Sequence, residues 1–159
     1  MIIAIITGVI TLSYLIFQSV WDIKCMQTFT LPNNAAVLIS IGLYLFDCIR
    51  VHELSVHTML PIVIAIAVIV ILCKANLYGT GDKKAMIVIL LMQRYWSESY
   101  PHPDMFIFLL SMWIADAFFI LCNTKYLKVG PLKEKQRKAF FPFLTVGYIA
   151  GIVLDIFLI

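Results

Sequence analysis

Six apolar runs, at roughly 1–20, 35–49, 58–73, 85–97, 104–122 and 139–159, take up most of this 159-residue chain, and only short polar gaps part them. A run of about 20 apolar residues has the length of a helix that crosses the hydrocarbon core of a bilayer. Backbone in lipid must satisfy its own hydrogen bonds, which makes the helix the natural spanning element for runs of this kind. A soluble domain carries about half apolar and about a quarter charged residues. Here the shares are 62% and 13%, with a mean hydropathy of +0.98. The sequence therefore predicts an all-α integral membrane protein, a polytopic bundle of six transmembrane helices forming a single domain over 1–159.

The second and third runs are short and need flanking residues to complete a span. The fourth is the weakest, because AMIVILLMQ soon meets Arg94. The first run reads as a retained helix and not as a cleavable signal: only the α-amino group precedes it, and bulky Trp21 follows it where a small-residue cleavage site would stand. No internal repeat or low-complexity tract interrupts the pattern.

Charge bias decides whether the fourth run crosses. With six spans, the first, third and fifth loops share one side and carry Lys24, Lys74, Lys83, Lys84, Lys125, Lys128, Lys133, Lys135, Arg137 and Lys138, whereas the second and fourth carry Arg50 and Arg94. Without the fourth crossing the basic residues divide almost evenly. Positively charged short loops stay cytoplasmic, so six spans are preferred and both termini face outward, with His52, His57 and His102. The net charge of +3 is thus accounted for by topology, and nucleic acid is not an expected partner. Cys25, Cys48, Cys73 and Cys122 are scattered, form no C-x-x-C pair, and read as reduced and structural.

This topology brings Asp22, after the first helix, and Asp82, before the fourth, to the same cytoplasmic face. Acidic groups in or near spans are costly and are functional candidates by default. Asp47 and Asp155 fall toward the outer ends of helices 2 and 6 and read as interfacial or hydrogen-bonded carboxylates. Asp116, in the cytoplasmic half of helix 5, reads as a supporting group. Asp82 stands apart through its surroundings, LYGTGDKK (77–84). Gly79 and Gly81 give the backbone freedom and allow close approach of a substrate chain, and Lys83 and Lys84 anchor that end at the headgroups. Two neighbouring carboxyls cannot both ionise easily, so one keeps a proton. Such a pair can activate water with one member and protonate a scissile carbonyl with the other. It requires no metal or other cofactor, and the sequence offers no metal set, since the three histidines lie on the opposite face.

Three segments now resemble one family. WDIKCMQTFTLPNN (21–34), GTGDKKAM (79–86) and KAFFPFLTVGYIAG (138–151) are similar, in this order, to the motifs of the type IV prepilin peptidases, membrane aspartyl proteases of the G-x-G-D class. The resemblance covers essentially the whole chain and assigns the two catalytic aspartates to Asp22 and Asp82, with Gly79 and Gly81 at the matching motif positions. Pro32, Asn33, Pro142, Phe143 and Lys83 fall at positions read as structural or substrate-shaping. What the resemblance implies is removal of a short basic leader from prepilin, after a glycine, at the cytoplasmic face of a bacterial inner membrane, by an aspartic-type endopeptidase. The partners it implies are therefore a prepilin or pilin-like substrate and the lipid bilayer.

Two departures stand beside it. The stretch between Asp22 and Pro32 is a few residues longer than the common pattern. Longer members carry a cytoplasmic domain with paired C-x-x-C motifs and also N-methylate the new pilin terminus, a domain this chain lacks. The short form is more like the enzymes of tight-adherence (Flp-type) pili, and the resemblance leaves the methyltransferase open. The rival reading is a non-catalytic membrane scaffold or a proton-coupled carrier of a pilus or secretion system, because membrane aspartates also serve proton relays.

Overall fold

The six apolar runs become six helices, and all but the last reach beyond their runs at one end or both. The computed structural model describes residues 2–25, 28–50, 56–75, 78–93, 105–127 and 139–158. In order these hold α1 (Ile2–Cys25), α2 (Thr30–Arg50), α3 (Val56–Lys74), α4 (Thr80–Gln93), α5 (Met105–Leu127) and α6 (Phe141–Leu158), and no strand occurs among the described residues. Arg94, His52, His102 and the basic segment 128–138 lie outside the described residues. So do the side chains of His57, Asp47 and Asp155, although their backbones belong to α3, α2 and α6.

Three boundaries correct the expectation from hydropathy. Asp22 lies within the last turn of α1 instead of after it, because its carboxylate turns into the bundle and finds partners there, so a polar residue does not end the helix. Asp82 likewise lies inside the first turn of α4, where an acid opposes the positive helix end. Pro32 and Asn33 belong to the first turn of α2 and not to a loop. Proline fits there because the first N–H groups of a helix have no partner within it.

The helices alternate in direction, so that the C-terminal end of α1 and the N-terminal ends of α2, α4 and α6 gather at one end of the bundle. The most extensive pairings are α5 with α6, α2 with α4 and α1 with α6. Helix α4 touches all five others, and Ala85, Met86 and Val88 through Met92 are buried. This explains why the least convincing apolar run can still be a helix of the bundle: enclosed by protein, it needs no broad apolar surface of its own.

Polar side chains share the interior with an apolar core, while many large apolar side chains face outward. Gln18, Ser40 and Ser111 are 0% exposed, while Trp113 is 76% and Phe157 82% exposed. Large apolar side chains cover the outer faces of α1, α2, α3, α5 and α6. Among the described residues two helices, over Ile6–Cys25 and Thr30–Arg50, are long and apolar enough to cross a membrane; Met59–Lys74, Phe108–Cys122 and Phe141–Leu154 are apolar but shorter.

One close contact fixes α5 against α6. A Cβ added at Gly147 would lie 2.4 Å from the Ser111 carbonyl oxygen and 3.0 Å from the Ala115 Cβ. A backbone oxygen cannot swing aside, so Gly147→Ala must push the helices apart. We expect a loss of about 1–3 kcal/mol, as for overpacked cores, seen as a lower unfolding midpoint of the detergent-solubilised protein. An unchanged midpoint would contradict so close an approach.

Candidate functional site

The gathered helix ends have unpaired N–H groups to satisfy, and two aspartates supply the acceptors. At the start of α6, Phe140 N–H and Phe141 N–H donate to Asp22 Oδ2 at 3.0 and 3.3 Å. Pro142 has no N–H to satisfy, and Phe143 N–H and Leu144 N–H both donate to the Phe140 carbonyl. The first turn of α6 is therefore fully accounted for, with its cap delivered from α1. Ser19 and Thr145, a turn deeper in α1 and α6, reinforce the same helix pair through a 2.8 Å hydroxyl contact.

At the start of α4 the cap is local. Gly79 N–H donates to Asp82 Oδ2 at 2.9 Å, and Lys83 N–H donates to the Gly79 carbonyl. This is the reciprocal half of a capping box, with the third helical residue reaching back to the cap. The two glycines serve space more than unusual dihedrals. A Cβ at Gly81 would meet Thr28 Cγ2 and Oγ1 at 2.3 Å, and one at Gly79 would meet the Asp82 carboxylate at 3.0 Å. Gly81 thus lets the α1–α2 connection lie directly against the first turn of α4. Gln18 holds that connection in place from within α1, its Nε2 donating to the Phe29 carbonyl and its Oε1 accepting from Phe29 N–H, both at 3.2 Å.

Asp82 feels both its burial and the charge of Asp22. Burial raises the Asp82 carboxyl from its ordinary 3.8 to about 6; the Gly79 N–H opposes the shift, and the charge of Asp22 adds to it. Each aspartate commits Oδ2 to backbone N–H donors, so a proton, when bound, belongs on Oδ1. An acid that holds its proton toward neutral pH and feels the charge of a second carboxyl is equipped for proton transfer in both directions.

The other residues picked out from sequence fall around this pair. Asn33, buried in α2, accepts from the Tyr14 hydroxyl of α1. Lys84 donates to Asn34 Oδ1 at 2.6 Å and ties α4 to α2, while Lys83 is half-buried beside Asp82. Phe143 packs edge-on against Phe119, with centroids 5.3 Å apart. Asp116 accepts from the Tyr78 hydroxyl at 2.7 Å. Sequence reasoning passed over Gln18, Tyr14, Tyr78 and Phe140. Gln18 carried a usable signal, being an amide inside an apolar run that must find partners. The three aromatics carried none, since such residues are common throughout this chain. No family model, curated protein or solved structure matches the chain.

Proposed function

We propose that this chain is a multi-pass membrane aspartyl endopeptidase that removes the leader of prepilin-like precursors at the cytoplasmic face, with Asp22 and Asp82 as its catalytic pair. The observation that carries the reading is that these two acids, one at the end of α1 and one at the start of α4, stand at the same end of the bundle, close enough for the charge of Asp22 to raise the pKa of Asp82. The outer faces of the fold support a bilayer surrounding, since the many bulky apolar residues exposed there suit lipid. Lys24, Lys74, Lys83 and Lys84 belong to the same end of the bundle as the pair, which agrees with a cytoplasmic orientation.

In the proposed mechanism ionised Asp22 takes a proton from water as the water oxygen adds to the scissile carbonyl. Protonated Asp82 gives its proton to the carbonyl oxygen, forming a neutral tetrahedral diol. Collapse of that diol breaks the C–N bond, returns a proton to Asp82, and lets the departing amine take the proton held by Asp22. Methylation of the new terminus is not part of the proposal.

The test is to coexpress the chain with a precursor bearing a short basic leader that ends in glycine, and to follow leader loss by gel mobility. Wild type is expected to convert the precursor. Uncleaved precursor beside a fully accumulated wild-type chain would overturn the reading. A scaffold or proton-coupled carrier is the second reading, favoured by the capping bonds that both aspartates make, which give each a structural reason to be present. It predicts no conversion by any form of the chain.

A further inference from the structure

Tyr78 is tied to both halves of the site. Its hydroxyl donates to Asp116 Oδ2 on α5 at 2.7 Å. Its ring lies on Phe140, centroids 5.4 Å apart, and the N–H of Phe140 holds Asp22. Its neighbour in the chain, Gly79, holds Asp82 through its own N–H. Phe119 of α5 also packs on Phe140, edge-on with centroids 5.2 Å apart. Tyr78 stands in the short irregular segment between α3 and α4, next to a glycine whose backbone is intrinsically loose. Burial, and then the bond to Asp116, raise the phenol above its ordinary range, so it stays a donor at any working pH.

We propose that Tyr78, anchored by Asp116, is a positioning residue that sets the separation between the Asp22 and Asp82 carboxyls. A displacement of Tyr78 moves Gly79, and with it Asp82, relative to the Phe140 backbone that holds Asp22. Asp116 acts by accepting one hydrogen bond, and its charge is not required. The kinetic consequence rests on the peptidase reading above; the geometric one does not.

The experiment uses the full chain in detergent micelles. Carboxyl titration is followed by infrared difference spectroscopy, with the Asp82 band identified by its loss in Asp82→Asn. Among the described residues, the titratable groups around Asp82 other than Asp22 are Tyr14 of α1, Cys73 of α3, Tyr78 and Lys83, none of them a carboxyl. In the parent chain, Asp22→Asn is expected to move the ionisation of Asp82 to lower pH. In a Tyr78→Phe background, which keeps the ring on Phe140, that displacement should fall by at least about half, because Coulomb coupling weakens with separation. Asp116→Ala should behave like Tyr78→Phe, whereas Asp116→Asn, whose amide oxygen accepts the same bond, should keep the parent displacement. An unaltered displacement in Tyr78→Phe overturns the proposal. Should that chain fail to fold, equal displacements in Asp116→Ala and Asp116→Asn overturn it instead.

On a cleavable precursor, Tyr78→Phe should lower kcat by about tenfold or more with KM unchanged, as misplacement of a reacting group does. Asp116→Asn should remain within about twofold of the parent on the same argument. A parent chain that cleaves nothing, yet whose carboxyl coupling depends on Tyr78 as described, removes the peptidase reading and leaves the positioning role standing.

Discussion

Asp82→Asn is expected to end leader removal while the chain still accumulates in the membrane. The amide oxygen of asparagine can accept the 2.9 Å bond from Gly79 N–H, so the cap of α4 survives the exchange. What is lost is the ability to give and take a proton, an effect of about 10²–10⁴-fold for a general acid or base. The readout is the gel-mobility assay together with the amount of membrane-extracted chain. Undiminished cleavage by this variant would remove Asp82 from the chemistry.

The same residue sets a pH dependence with a definite sign. The folded carboxyl is raised from 3.8 to about 6, mainly by burial. With Asp82 as the acid, kcat/KM falls as pH rises through about 6, and water displaced by lipid or bound substrate pushes that limb upward. Stability follows the same direction. A raised folded-state pKa means that the unfolded chain ionises first, so stability is highest below the ordinary value of 3.8 and declines as pH rises to about 6. Asp82→Asn should flatten the decline in that window. Initial rates and unfolding midpoints across the window check both statements, and a stability that increases there would contradict the burial argument.

Asp22 gives the second large effect, and here the choice of replacement matters. Asp22→Ala leaves two buried donors, Phe140 N–H and Phe141 N–H, without an acceptor. Each stranded donor costs about 1–3 kcal/mol, so the variant should lose about 3 kcal/mol in all. Asp22→Asn can still accept through its amide oxygen and should stay within about 1 kcal/mol of the parent, the size of an ordinary neutral hydrogen bond. Both should be inactive on the precursor. The pair of variants separates the two roles of the residue: stability distinguishes Ala from Asn, whereas processing does not. Equal stability of the two would show that Asp22 does not cap α6.

The six helices were legible because each apolar run is bounded by polar gaps, and the shared end of Asp22 and Asp82 followed from where the lysines fall. The extents of the helices were less legible. Hydropathy registers polarity but not partnership, so it stopped at Val20 where α1 continues to Cys25. The same limit hid the cap on α6, since nothing local marks Asp22 as the acceptor for backbone groups 118 and 119 residues away. GTGD was visible as a motif, but its physical basis was not. The freedom expected of Gly81 proved to be room for Thr28, a residue of another segment. Tyr78 was invisible altogether, because an aromatic at a helix end is ordinary in such a chain and only the bond to Asp116 distinguishes it.

The latch between Asp22 and the opening of α6 also bears on when the protein comes into being as a working object. The acid on α1 is made well before its backbone donors at the start of α6, 118 residues further along, so the arrangement cannot close until α6 has been made. A ribosome-bound intermediate carrying only the earlier helices would hold both acids without the scaffold that aims one of them. On the peptidase reading, competence would arrive only when α6 docks.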